Sequence, residues 1–178
     1  DTVSQSVDIG DKIRFDDDGP TANGAAVTRT VDEGDIFNAR SWGSSAEDGT
    51  EDGSSSDLAL LGVGLAATVR GSVGSVVSFG ADGAAPGGGF GFTSDALATL
   101  NALGLTSQGK PVVFTFFAGA LLGYVDNGVG GYQPIIDRPI LSLTLDRETG
   151  EFQFQLYDQL DHVAGGGKNT ELIGAGGA

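Results

Sequence analysis

Short runs of alternating apolar and polar residues, separated by glycine and aspartate, follow one another along most of the chain. Alternate side chains of a strand point to opposite faces, so a period of two predicts a strand with one buried face. Glycine and aspartate beside such runs predict the turns that join them. Regular helical crossovers between the runs are missing, which argues against a parallel α/β sheet. The pattern predicts an all-β fold, an antiparallel β-sandwich forming a single domain over residues 1–178.

The clearest local pattern is a hairpin across residues 139–157. Apolar residues alternate on both sides of the polar turn at 146–150, and Gly150 suits the left-handed position of a short hairpin loop. The remaining strands are predicted at 3–15, 25–31, 58–65, 67–73, 76–79, 112–117 and 121–125.

Two segments depart from the strand pattern. Residues 94–103 predict one short helix, which Thr93 or Ser94 caps and Gly104 ends. Residues 43–57 are polar and low in complexity, which predicts a loop. Oxygen-bearing residues in this loop are spaced partly as in an EF-hand, but Ala59 stands where that loop needs glutamate, so a solvated loop is favoured.

The charge of the chain narrows the classes of function. Asp and Glu number 24 against 9 Lys and Arg, a formal net charge of −15. Nucleic acid is therefore excluded as a partner, and an anionic membrane surface is disfavoured for the same reason. No apolar run is long enough for membrane insertion. Cysteine is absent, so rigidity cannot come from disulfides. Carboxylates held on tight turns favour Ca²⁺ as the counterion, and we expect several ions.

Four acidic turns are candidate calcium ligands. Asp16, Asp17 and Asp18 form one turn, with Glu33 in a second turn that faces it. Asp82 and Gly83 follow a glycine in a third turn. Asp126 and Asn127 form the fourth, where Tyr124 and Tyr132 flank hard oxygen donors as on a recognition surface. At each turn the alternative is an ordinary solvated turn, and for the tyrosines it is simple packing.

Several segments together carry a family resemblance. LSLTLDRETGEFQFQLYDQLDH at 141–162, GGGKNTEL downstream, FDDDGPTA at 15–22 and SFGADG at 78–83 resemble the β-sandwich repeat domain of large type I-secreted RTX adhesins. The resemblance implies an extracellular module at the bacterial cell surface, joined to neighbouring modules. Residues 1–20 then form the N-terminal strand and inter-module junction, and 43–57 and 83–131 are insertions.

The enlargement at 83–131 is similar to the peptide-binding variant of that family, in which calcium holds the C-terminal carboxylate of a partner peptide. This resemblance implies a ligand contact through Asp82, Gly83, Tyr124, Asp126, Asn127 and Tyr132. It also makes the LDH sequence a structural turn, with Asp161 as a further calcium ligand. The implied partner is a peptide or protein on a target cell, bound by a monomeric, non-enzymatic module.

Three other functions stay open. The chain could be a calcium-stiffened extender, although a spacer gains nothing from large insertions. A carbohydrate-binding module is a further alternative. A glycosidase needs a marked pair of carboxylates, and nothing in the sequence marks one. Asp158 and His162 do not suggest zinc catalysis, since one histidine without cysteine cannot build a zinc site.

Overall fold

The computed structural model describes residues 19–22, 26–37, 55–61, 64–81 and 83–162. Within this part of the chain the structure is all-β with one helix, as predicted. The strands are β1 (Thr21–Ala22), β2 (Ser55–Leu58), β3 (Leu65–Ser72), β4 (Val77–Ser78), β5 (Thr106–Ser107), β6 (Lys110–Pro111), β7 (Val113–Phe117), β8 (Ala120–Val125), β9 (Arg138–Leu145) and β10 (Glu151–Leu156). Helix α1 is Ala96–Ala102, and 3₁₀ turns lie at Glu33–Asp35 and Gly74–Val76.

One six-stranded antiparallel sheet organises the molecule, in the order β2-β3-β10-β9-β8-β7. Strands β1 and β4 form a small separate sheet, and β5 and β6 form a hairpin. The β5–β6 and β7–β8 turns each have positive φ at both central residues. This is the conformation of two-residue hairpin turns whose twist matches that of the flanking strands. The β5–β6 and β7–β8 connections are therefore local, whereas β3 pairs with β10 from much later in the chain. The predicted insertion 83–131 contributes two strands of the main sheet, β7 and β8.

The predicted hairpin at 139–157 is confirmed as β9 and β10. Phe152 pairs with Leu145 and Leu156 pairs with Leu141, so the alternating apolar residues of both strands share one face. Gly150 has φ 72° in the turn, the left-handed position expected for it. Asp146 accepts hydrogen bonds from the amides of Glu148 and Thr149, which fixes the turn and lowers the pKa of this carboxyl.

The two faces of the sheet bury different chemistry. One face is apolar, and its core of buried residues includes Ile36, Ala67, Val112, Phe114, Leu121, Leu141 and Leu156. Leu97 and Leu100 of α1 pack onto this face. The other face centres on Leu122, Tyr124 and Tyr157. It also buries a polar network, because the Tyr157 hydroxyl meets Ser142 and the Gln155 amide donates to Thr68. Among the described residues, every buried side-chain polar atom has a hydrogen-bond partner.

The structure corrects two strand assignments and leaves others open. Residues 26–31 are not a strand, so the prediction for 25–31 is wrong over that stretch. The prediction of one continuous strand over 58–65 is wrong, because Leu58 ends β2 and Leu65 begins β3. The connection between them is closed by a bond from Ala59 N–H to Gly64 C=O at 2.9 Å. The predicted loop 43–57 ends inside β2, since Ser55–Leu58 pairs with β3. The predicted strand 3–15 lies outside the described residues.

The sandwich itself is not seen in the described part of the chain. Helix α1 and the segment 26–36, rather than a second large sheet, pack on the apolar face of the main sheet. None of the described helices has the length and apolar character needed to cross a membrane.

Candidate functional site

The loop that joins β8 to β9, residues 126–137, is held by a buried carboxylate that sequence reasoning missed. Asp137 is 1% exposed. Its Oδ1 accepts the amide of Asn127 at 2.8 Å, and its Oδ2 accepts the amide of Gln133 at 2.7 Å. These two bonds tie both arms of loop 126–137 to the first residues of β9. The loop is therefore internally fixed, in the way that a charge-assisted clamp fixes it.

The predicted ligands Asp126 and Asn127 are part of the same fixed loop. Asp126 Oδ1 accepts the amide of Gly128 at 2.6 Å, and Asn127 Nδ2 donates to the carbonyl of Ile136 at 2.7 Å. One polar atom of each side chain is thus used in a hydrogen bond within the loop. Asp126 Oδ2 and Asn127 Oδ1 make no hydrogen bond within the described residues. Two hard oxygens of adjacent residues are thus available here, fewer than the six to eight that Ca²⁺ prefers.

The two candidate tyrosines are packed, which corrects the expectation of an exposed aromatic surface. Tyr124 is 3% exposed, and its ring lies 5.2 Å from that of Tyr132 in an edge-to-face arrangement. Tyr132 also meets Phe117 at 4.9 Å. Burial, with the charges of Asp126 and Asp137, raises the pKa of Tyr124. Tyr124 therefore packs beneath the loop in the core, where it cannot contact a ligand directly.

Loop 126–137 instead exposes aliphatic side chains. Val129, Ile135 and Ile136 are all exposed, and Ile135 reaches 97%. Ile135 also has φ 80°, a left-handed conformation that a β-branched residue rarely adopts. A cavity of about 340 Å³ adjoins the loop, lined by Lys110, Pro111, Val113, Val125, Asp126, Asn127 and Gly128. The loop thus presents apolar surface beside a small open cleft.

Asp161 of the LDH sequence holds the β5–β6 turn. Its Oδ1 accepts the amide of Gln108 and its Oδ2 accepts the amide of Gly109, each at 2.8 Å. Desolvation raises its pKa, but the Thr106 side chain, the two amides and the charge of Arg138 together outweigh that effect and lower it. Both carboxylate oxygens thus accept amides of the β5–β6 turn, and calcium binding at Asp161 stays a prediction.

Arg138 and Asp158 form a buried ion pair beside that turn. Arg138 Nη1 bonds to Asp158 and to Ser107 Oγ, and its Nη2 donates to the carbonyl of Ser107 at 2.9 Å. Asp158 is fully buried and also accepts the amide of Gln159. These contacts join β9, β5 and the chain after β10. The ion pair and its hydrogen bonds therefore hold these three parts of the chain together.

Glu33 lies close to the same end of the sheet. Its Oε1 accepts the amide of Leu160 at 2.9 Å and lies 3.8 Å from His162 Nε2. Burial raises the pKa of Glu33, and the nearby charges of Asp158 and Asp32 act in the same direction. Its predicted partners Asp16, Asp17 and Asp18 lie outside the described residues. A partly buried carboxylate whose pKa is raised by burial would be stabilised further by a nearby cation.

The glycine turn around residue 82 is described only in part. Asp82 lies outside the described residues. Gly83 has φ 73° with open space around its Cα. Within the described ranges, no group of three or more His, Asp and Glu side chains is arranged to hold a metal ion. The predicted calcium sites at 16–18 and 82 therefore stay predictions. No family model, no curated protein and no solved structure matches this chain.

Proposed function

We propose that this domain is a calcium-dependent binding module of a bacterial surface adhesin, and that loop 126–137 is the surface that contacts its partner. The observation that carries the proposal is Ile135. An aliphatic side chain that is 97% exposed and held at φ 80° costs folding free energy without burying any surface. Strain of this kind is typical of binding and switch sites, where the surrounding structure maintains it.

The clamp beneath the loop supports the same function. Asp137 fixes the loop through two amides, so little backbone freedom is left to lose on binding. Preorganisation of this kind raises affinity because the ordering cost is met during folding. Val129 and Ile136 lie on the same loop and extend the apolar surface. A spacer has no need of a rigid, exposed apolar loop, which favours the binding module over the extender.

The proposed partner is a peptide or protein segment with an apolar portion and a free carboxylate. Apolar contact would come from Ile135 and its neighbours. The net charge of −15 opposes an anionic ligand, and a bridging cation removes that opposition. Asp126 Oδ2 and Asn127 Oδ1 would supply two ligands to such a calcium ion, with the partner carboxylate and water supplying the rest. Stiffening ions are proposed at Asp16–Asp18 with Glu33 and at Asp82.

Thermal melts separate the parts of this proposal. The domain is melted in EDTA, in millimolar calcium, and in calcium with short apolar peptides whose C-termini are free or amidated. We expect calcium to raise Tm strongly and free-carboxylate peptides to raise it further, since each ligand that binds only the folded state adds RT ln(1 + [L]/Kd). A calcium shift without a peptide effect would favour the extender. No calcium shift would contradict the calcium-dependent module.

An Asp126→Ala variant tests the bridging ion by itself. It removes one proposed calcium ligand and only one hydrogen bond, to Gly128 at the exposed tip. We expect the large calcium shift to persist, because the stiffening sites are elsewhere, and the extra shift from free-carboxylate peptides to vanish. An unchanged peptide shift would rule out calcium bridging at Asp126 while leaving a calcium-free apolar contact.

A further inference from the structure

Within the described residues, strand β7 forms one edge of the six-stranded sheet. An edge strand presents unpaired N–H and C=O groups on which another strand can add. Natural edges are usually protected by charge or proline, but Val113–Phe117 (VFTFF) contains neither. Its sequence is uncharged and rich in β-branched and aromatic residues, which is the composition that favours strand addition. Some other feature must keep this edge from pairing.

Each outward backbone group near the start of β7 has a partner. The Val112 amide donates to the carbonyl of Leu105 at 2.8 Å. The Phe114 amide donates to Asn101 Oδ1 at 2.9 Å, and Asn101 Nδ2 lies 3.4 Å from the Phe114 carbonyl. The side-chain amide of one helix residue thus takes both hydrogen-bonding positions that a neighbouring strand residue would take.

Helix α1 holds Asn101 in this position. Asn101 Nδ2 also donates to the carbonyl of Leu97, one turn earlier in the helix, at 2.8 Å. Leu97 and Leu100 pack onto the apolar face of the sheet, so the helix is anchored beside β7. The side-chain amide of Asn101 is therefore oriented by hydrogen bonds to its own helix and to strand β7.

The protection stops after Phe114. Phe116 follows by two residues, so its backbone N–H and C=O point to the same outward side, and no partner for them lies in the described part of the chain. Its side chain is 48% exposed and packs on Phe92 with ring centroids 5.4 Å apart. The edge beyond Asn101 therefore offers one open position, which is too short for stable pairing.

We propose that the Asn101 side chain closes the β7 edge against strand addition by a second copy of this chain. Two identical edges can pair antiparallel about a two-fold axis, which makes the uncharged VFTFF edge complementary to itself. With Asn101 in place, Phe116 is the one residue of β7 whose outward backbone groups have no partner in the described part of the chain. Without it, the open edge lengthens from Phe116 back to Phe114, which is enough to start an antiparallel ladder.

The first test is amide hydrogen exchange on the wild-type chain. Phe114 is expected to be protected although it faces outward, and Phe116 to exchange freely. Asn101→Ala is expected to speed amide exchange at Phe114 by about tenfold, which corresponds to the free energy of roughly one hydrogen bond. The amides of Val113 and Thr115 should stay protected, because they bond to β8. Equal exchange at Phe114 and Phe116 in the wild type would overturn the proposal without any variant.

The second test is the state of association by sedimentation at raised salt, where repulsion between acidic copies is screened. Asn101→Ala is expected to form dimers and larger species, while the matched helix-surface control Thr99→Ala stays monomeric. Adding Phe116→Lys to Asn101→Ala places a charge on the edge and is expected to restore the monomer. A monomeric Asn101→Ala with fast Phe114 exchange, or association that survives Phe116→Lys, would overturn the proposal.

Discussion

Replacing Asp137 with alanine is the sharpest perturbation of the loop. Asp137 is buried and accepts the amides of Asn127 and Gln133 at 2.8 and 2.7 Å. Alanine removes both acceptors and leaves two backbone donors without partners. Asp126→Ala is the matched control, because Asp126 also accepts a loop amide but lies at an exposed position.

The magnitude follows from the two bonds. A hydrogen bond to a charged group contributes about 1.5–3 kcal/mol, so the pair contributes about 3–6 kcal/mol. The variant no longer has to desolvate a carboxylate, which returns part of this free energy. We therefore expect a net loss of about 2–4 kcal/mol for Asp137→Ala and less than about 1 kcal/mol for Asp126→Ala.

Amide hydrogen exchange and urea unfolding provide the assay. Because the two bonds close a loop, the loss should appear first as local opening. Exchange at Asn127 and Gln133 is expected to rise by about 30- to 1,000-fold, the equivalent of 2–4 kcal/mol. Amides in the β9–β10 ladder should change less. Unchanged exchange at Asn127 and Gln133, or equal effects of the two variants, would refute the clamp.

Three further predictions concern buried and strained groups. Burial raises the pKa of Glu33, so ionisation of Glu33 opposes folding, and the stability of the domain falls as the pH rises through the folded pKa. Glu33→Gln should therefore have a higher Tm than wild type at neutral pH in EDTA. A lower Tm would contradict this. Burial raises the pKa of Tyr157 to about 12 against an unfolded value of 10. Urea unfolding should therefore show stability falling by up to about 3 kcal/mol between those pH values, and the same fall in Tyr157→Phe would disprove the assignment. Glycine adopts φ 80° without strain, so Ile135→Gly should be as stable as wild type or up to about 1 kcal/mol more stable in urea unfolding. A clear loss of stability would show that Ile135 is not strained.

The alternation of apolar residues predicted the sheet where both partners of a hairpin are close in sequence. The hairpin of β9 and β10 follows directly from the period of two on either side of the 146–150 turn. The same period failed at 26–31. Val27, Arg29 and Val31 all line one groove of about 490 Å³ with residues of the sheet face, although Arg29 is exposed and the two valines are only partly buried. Alternation thus indicates that side chains share a face, and strand pairing needs a neighbour that sequence does not specify.

The candidate site at Asp126 and Asn127 stays a prediction, and the contacts that hold its loop were not foreseen from the sequence. Asp126 and Asn127 lie in the ordered loop 126–137, but Asp137, which holds that loop, was missed because its role depends on amides four and ten residues away. A carboxylate that accepts backbone amides, as Asp161 does, has the same sequence appearance as a metal ligand. Tyr124 was expected at the surface, but its position in β8 opposite Val113 places it in the core.

Peptide binding by loop variants tests the central claim most directly. Random short peptides with free C-termini are selected on the immobilised domain in calcium, and the selected peptides are titrated by calorimetry against wild type, Ile135→Ser and Leu103→Ser. Leu103 is an exposed aliphatic residue far along the chain from the loop and serves as the control. The account predicts at least a tenfold loss of affinity for Ile135→Ser and none for Leu103→Ser. Equal affinity of all three proteins, or failure to select any peptide, would contradict it.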